Sequence, residues 1–218
     1  LWALLLVHLF KYPFFQFGPR YAAATGETLL DGYKKLGKSV LVAYYILNFA
    51  TMFTIQAAVT IVTAGLAIQL FGSFGIENDL VIWSVIITLV SLSILIIGKY
   101  KLLDNLIKFI IILLTLSTII AVSVAIFSNK ESYDFTQIIP SGTIEITFLI
   151  AFLGWMPAPL DISIWHSIWT LEKDKTIHHK TTPSQAIFDF NIGYLGTLFL
   201  GVCFVMLGAL VMFNSGET

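Results

Sequence analysis

Apolar residues gather in long runs along this chain, set apart by short polar stretches that hold most of its charges. A helix needs ~20 apolar residues to cross the ~30 Å hydrocarbon core of a bilayer. Six segments qualify, at 1–17, 40–71, 79–98, 105–127, 144–170 and 192–213. The runs are too long, and the aromatic residues too scattered, for the ~10-residue alternating strands of an outer-membrane barrel. The pattern predicts an all-α fold, a polytopic transmembrane helix bundle with the bilayer as its first partner. Leu1 already lies inside an apolar run, no charged leader precedes it, and "NSGET" closes the sequence just past another run. Residues 1–218 are therefore expected to be a fragment of a single membrane domain.

Composition agrees with that pattern. Of 218 residues, 57% are hydrophobic and 11% charged, with a mean hydropathy of +0.89. Soluble domains carry roughly 25% charged residues. A net charge of −1 and the absence of a basic block give no sign of a nucleic-acid partner. The single cysteine, Cys203, rules out an intrachain disulfide. Lysine and arginine set the orientation. Arg20, Lys34, Lys35, Lys38, Lys99, Lys101, Lys108, Lys173, Lys175 and Lys180 fall on one side of the alternating layout, and Lys130 alone on the other. The first side is expected to be cytoplasmic. Glu77, Asp79, Glu131, Asp134, Glu145 and Glu217 fall on the outer side. This reading implies an integral, multi-pass protein of the plasma (cytoplasmic) membrane.

The fifth apolar segment carries the strongest chemical signal, "LGWMPAPLD" at 153–161. Proline removes a backbone donor and clashes with the preceding turn. Gly154, Pro157 and Pro159 within six residues predict an unwound point between two half-helices. Irregular backbone at membrane depth occurs only where it is packed in protein or lines a cavity. Transporters place substrate at such points, where free carbonyls and helix ends meet the ligand. Met156 would bring a thioether, which favours softer metals. Asp161 is expected about one turn into the second half-helix. An intramembrane carboxylate is a functional candidate, and a kink with Asp161 tied to a neighbouring backbone or base is the structural alternative.

Other segments offer weaker signals. His8 and Lys11 are three residues apart and share a helix face. Lys11 lies nine residues before Arg20, ~13 Å along a helix, which is deep for a snorkelling ammonium. It needs a partner, for which Asp161 is a candidate, or it snorkels or is structurally paired. Gln56, Thr60 and Thr63 form a polar stripe in the second segment, with Asn48 and Thr51 nearby. Such a stripe lines a pathway or joins helices by hydrogen bonds. Gly193, Gly201 and Gly208 predict one closely packed face on the last segment. "TTPSQ" reads as a helix start, with Thr182 as cap, Pro183 at the first helical position and Gln185 closing a capping box. Asp104 and Lys108 make an i,i+4 pair at a helix start. His166 lies near the cytoplasmic end of the fifth segment, and the adjacent His178 and His179 suggest a solvated loop more than a metal site. No GxSxG, HExxH or phosphate-binding glycine loop is present, so no enzyme is expected.

These residues together resemble a family. "LWALLLVHLFKYPFFQFGPRYAAATGETLLDGYKKLGK" looks like the second membrane span and following loop of the NRAMP family of divalent metal transporters. "AFLGWMPAPLDISIWHS" resembles that family's broken sixth span, which usually carries an MPH-type motif followed by "HS". "DFNIGYLGTLFLGVCFVMLGALVM" resembles the seventh. The likeness covers essentially the whole chain, as spans two to seven of a larger protein.

The resemblance implies a LeuT-type inverted-repeat fold, alternating access and divalent cation cargo, typically manganese or iron, often with proton coupling. The metal would be the transported substrate, and no cofactor is implied. Met156 matches the family's metal-contacting methionine, followed by Pro157. The chain departs from the pattern at Ala158, where the family usually has histidine, and at Pro159, where it often has asparagine. Its second segment lacks the carboxylates that the family uses in proton movement, and Lys11 is unusual in a cation pathway. Magnesium as cargo and transport without protons therefore stay open. Two further readings stand beside this one: a transporter of the same fold for an amino acid or other organic solute, and a membrane receptor or enzyme whose proline break is structural. The expected pathway residues are Met156, Asp161, Gly154, Pro157 and Ala158, with Lys11, Gln56 and Thr60 as further polar positions.

Overall fold

A computed structural model describes residues 1–73, 75, 78–128, 139–159 and 161–212, without the side chains of 99–101 and 212. Of the charges that set the expected orientation, Glu77, Lys130, Glu131, Asp134 and Glu217 lie outside the described residues, as do the side chains of Lys99 and Lys101. The described residues form helices and no strand. In chain order these are α1 (Trp2–Thr25), α2 (Leu29–Leu36), α3 (Lys38–Phe71), α4 (Asp79–Ser128), α5 (Thr143–Trp155), α6 (Ile162–Ile177) and α7 (Pro183–Leu207), followed by a π-helical turn at Gly208–Met212. Two compact units divide the chain, Leu1–Gly32 with Ile110–Thr218, and Tyr33–Phe109.

Four helical stretches are long and apolar enough to cross a membrane: Lys38–Phe71, Asp79–Gly98, Leu102–Ser128 and Pro183–Val211. Their large side chains stand exposed, with Leu70 78% and Ile97 80% accessible. In water such surface would be costly, at ~25 cal/mol per Å². In a bilayer it is the face that lipid covers. The protein is therefore an all-helical membrane-embedded chain.

Several boundaries differ from the sequence expectation. The first segment runs beyond 17 to Thr25, through Pro13 and Pro19, and ends where Gly26 takes a left-handed conformation (φ 74°) and donates to the Ala22 carbonyl. A residue with a Cβ resists that φ, which makes glycine the natural stop. The third and fourth segments are joined, because 99–104 is itself helical within α4. That stretch contains no proline, and the Asp104–Lys108 pair, 2.6 Å apart, closes one turn beyond it. The last segment likewise merges with its expected leading helix into α7. Thr182 caps it as anticipated: the Gln185 amide donates to the Thr182 hydroxyl, and the Thr182 amide donates to the Gln185 side chain at 2.9 Å.

In the larger unit α1 is the hub, packing against α5, α6 and α7. The core of this contact is Phe15, Phe190 and Tyr194, with Tyr12, Ala158 and Ile162 packed against it. The rings of Phe190 and Tyr194 stack at 5.1 Å. Polar groups lock the same helices. Tyr194 donates to the His8 carbonyl at 2.7 Å, and Tyr12 donates to Asn191 at 2.7 Å while accepting from Gln16. Ser163 donates to the Phe14 carbonyl, and the buried Ser167 hydroxyl accepts from the Leu29 amide and donates to the Ile164 carbonyl. Of the three glycines expected to form a close-packed face on α7, only Gly201 approaches another helix, where an added Cβ would lie 3.1 Å from Leu4. Among the described residues nothing lies within 4 Å of such a Cβ at Gly193 or Gly208, and α7 meets α1 through the large rings instead.

Among the described glycines, Gly18 lies tightest against another helix, since an added Cβ would clash with the Ser163 carbonyl oxygen. Backbone lies directly against backbone there, so a methyl group must push α1 and α6 apart. Gly18→Ala should lower the thermal unfolding midpoint of the detergent-solubilised protein, by an overpacking cost of ~1–3 kcal/mol. Gly196→Ala, where an added Cβ meets nothing within 4 Å, should leave the midpoint unchanged or slightly raised.

Candidate functional site

The fifth segment is interrupted at the expected place. α5 ends at Trp155, and Met156 caps it in an extended conformation (φ −83°, ψ 138°) with its amide on the Phe152 carbonyl at 2.9 Å. The Met156–Pro157 peptide is cis. α6 begins at Ile162. The physical cause lies in the sequence. In a continuous helix the Leu153 and Trp155 carbonyls would accept from residues 157 and 159, and both are prolines without an N–H. The Gly154 carbonyl would accept from Ala158, but the chain has left the helix before that amide can turn back.

Lys11 supplies a replacement. Its ammonium donates to the Gly154 carbonyl at 2.8 Å and to the Ala158 carbonyl at 3.5 Å. It also lies 5.9 Å from the centre of the Phe15 ring. A cation is well placed here, since the last carbonyls of α5 carry the negative end of its dipole. The expected Lys11–Asp161 pair is not formed, and the correction has a simple basis. Lys11 is committed to the Gly154 and Ala158 carbonyls, which lose their helical partners because the chain leaves the helix between them. Asp161 instead accepts from the Trp165 indole N–H at 3.1 Å.

Asp161 also sits earlier than expected. It is the N-cap of α6 rather than a residue one turn inside it, and its backbone carbonyl accepts from Ile164 and Trp165. Its side chain makes no capping bond, so the carboxylate points away from the amides at its own helix start and toward the indole. Gly154, Met156, Pro157, Ala158 and Asp161 are thus gathered with Lys11 in and around one break. Gln56 and Thr60 belong to the Tyr33–Phe109 unit, where Gln56 donates to Thr60 at 3.2 Å and Thr63 donates to the Val59 carbonyl within the same helix.

Two residues of this region, Phe15 and Trp165, carried no sequence signal of their own. Phe15 lies one helical turn after Lys11, so an i,i+4 reading would have found it. Trp165 lies at the same spacing from Asp161. His8 and His166 flank the aromatic core, against Tyr194 and Phe190 respectively. Each keeps one ring nitrogen buried and without a protein hydrogen-bond partner, Nε2 of His8 and Nδ1 of His166. Among the described residues no group of three or more His, Cys, Asp and Glu side chains is arranged to hold a metal ion. A metal at the break would rest on the Met156 sulfur, the Asp161 carboxylate and backbone carbonyls.

The chain is similar to an uncharacterized protein of Pasteurella multocida (strain Pm70), with 40% identity over 220 residues, covering 99% of this chain and 49% of that protein. It spans about half the length of the curated relative it matches. No family model and no solved structure matches it.

Broken backbone at membrane depth requires either a water-lined cavity or a protein seal. A cavity predicts that Asp161→Cys, in a Cys203→Ala background, reacts with a hydrophilic thiol reagent in intact vesicles. Phe148→Cys, on the 71% exposed apolar face of α5, should stay unlabelled. Equal protection of both cysteines would mean that the break is sealed.

Proposed function

We propose that the chain is the N-terminal-side portion of a secondary transporter that moves divalent metal cations by alternating access, with its substrate site at the Met156–Asp161 break. The observation that carries this reading is the interruption of a membrane helix with Met156 at its end and Asp161 opening the next helix. A thioether at one end of the break, a carboxylate at the other and backbone carbonyls outside helical bonding are the donor types suited to manganese- or iron-type ions, which supports the reading. The resemblance to the NRAMP family supports it, and with it a LeuT-type fold. In this reading α1, α3, the α5–α6 pair and α7 each cross the bilayer, and the two apolar stretches of α4 cross separately once the chain turns between them near 99–104, giving six crossings. The lysine-rich side faces the cytoplasm, and the membrane is the plasma membrane.

Lys11 favours a second reading. A divalent ion ~5 Å from an ammonium is disfavoured by about 7 kcal/mol at an effective dielectric of 20. A metal at the break therefore requires Lys11 to leave its carbonyls, or the ion to stay at the Asp161 end. A solute bearing a carboxylate, such as an amino acid, would instead be drawn to the same ammonium.

Uptake into proteoliposomes by the full-length protein separates the two. Manganese and iron uptake, with magnesium as comparison and an internal pH reporter, is the expected result. Amino-acid uptake without metal uptake would replace this reading with the second. If Met156 is a soft-metal ligand, Met156→Ala should cut manganese uptake about tenfold, the worth of ~1.4 kcal/mol, and spare magnesium. Equal losses would assign Met156 to packing.

A further inference from the structure

We infer that the Gly154 and Ala158 carbonyls, together with the face of Phe15, form a binding site for a small monovalent cation, and that the Lys11 ammonium fills it from within the chain. Three observations converge on one point. The Gly154 carbonyl lies 2.8 Å from Nζ and the Ala158 carbonyl 3.5 Å. The Phe15 ring stands 5.9 Å away, within the ~6 Å range of a cation–π contact. Each is a feature that favours positive charge, and the first two exist because the helix is broken there.

The ligand class follows from the donor set. The groups around Nζ are neutral carbonyls and a ring, while the nearby Asp161 carboxylate is directed to Trp165. Neutral oxygens replace the weak hydration of an ammonium or alkali ion more readily than that of a divalent ion. Magnesium in particular dehydrates reluctantly and prefers carboxylates and water. The site is therefore suited to ammonium, potassium or sodium. Lys11 provides such an ion permanently tethered, held on α1 by the packing of Tyr12 and Phe15. The cation thus comes from a neighbouring helix, and the break keeps its counter-charge whatever salts surround the protein. This inference does not rest on the cargo: it holds for a metal, an amino acid or any other solute.

The test uses the full-length protein in detergent and reads its thermal unfolding midpoint in choline, sodium, potassium and ammonium chloride at matched ionic strength. The wild type should give the same midpoint in all four. Lys11→Ala empties the site, and in choline, which is too large to enter, its midpoint should fall by roughly 5 °C, as the loss of a charged hydrogen bond implies. At least one small cation should restore most of that loss. Lys11→Met keeps the stem and blocks the space, so it should fall similarly and show no cation response. Lys11→Cys treated with 2-bromoethylamine regains an ammonium at the same reach and should recover in choline.

A Lys11→Ala midpoint equal to wild type in choline overturns the inference. So does a fall that no small cation reverses, even where aminoethylation of Lys11→Cys succeeds, because the carbonyls then accept only a tethered group. If Lys11→Ala cannot be recovered monodisperse in choline, purification throughout in ammonium chloride becomes the readout. Recovery there supports the site, and recovery in neither salt overturns it.

Discussion

Two prolines two residues apart govern this structure. Pro157 and Pro159 deprive the backbone of two donors at the end of an apolar helix. A buried carbonyl without a partner costs on the order of 1–3 kcal/mol, and in hydrocarbon the cost is several. The chain answers by ending α5 at Trp155 and starting again at Ile162. It then supplies a partner from another helix to two carbonyls that the break leaves outside helical bonding, those of Gly154 and Ala158. That need accounts for an ammonium in the middle of an apolar segment. Lys11 is where it is because Gly154 and Ala158 are as they are.

The rest of the larger unit can be read as the means of holding that contact. α1 has to stay in register with both half-helices, since a shift of one residue would move Lys11 by ~1.5 Å and turn it by about 100°. Three devices fix the register. Gly18 lets α1 lie against the backbone at Ser163, and Ser163 in turn bonds the Phe14 carbonyl. Tyr194 and Asn191 of α7 bond the His8 carbonyl and the Tyr12 hydroxyl, just either side of Lys11. At the cytoplasmic end expected from the charges, Ser167 receives the Leu29 amide and ties the chain beyond α1 to α6. The first device holds α1 to α6 and the second holds it to α7. A lone lysine on a loosely packed helix would lack this.

Much of this was legible from residue types, and the failures have physical causes. The helix break, the Thr182 cap, the Asp104–Lys108 pair and the membrane character all follow from local rules: donor loss at proline, side-chain capping, i,i+4 spacing and apolar length. The third and fourth segments do appear as two apolar stretches, Asp79–Gly98 and Leu102–Ser128, but the charged residues between them suggested a loop where lysine, leucine and aspartate are compatible with a helix. The glycine face on α7 failed at two of three positions for a different reason. Spacing says which residues share a face, and only the partner helix says what they meet. Here the partner brings rings at Phe15 and Tyr12, and these need large neighbours more than small ones.

The Lys11–Asp161 pairing failed most instructively. Opposite charges at membrane depth suggest each other, and the sequence offered one of each. That reasoning weighs only formal charge. At the end of α5 several carbonyls carry partial negative charge together, with the helix dipole behind them, and an ammonium can satisfy them without neutralising a carboxylate. A buried ion pair must also repay the desolvation of two ions, whereas an ammonium on carbonyls desolvates one and satisfies acceptors that would otherwise be unpaired. Broken helices are therefore places where a lysine competes as a backbone ligand, ahead of the nearest acid. The consequence reaches Asp161. With Lys11 committed elsewhere, its carboxylate turns to the Trp165 indole N–H at the start of α6. The two side chains stay apart along the break, Lys11 on the carbonyls at the end of α5 and Asp161 on the indole at the start of α6.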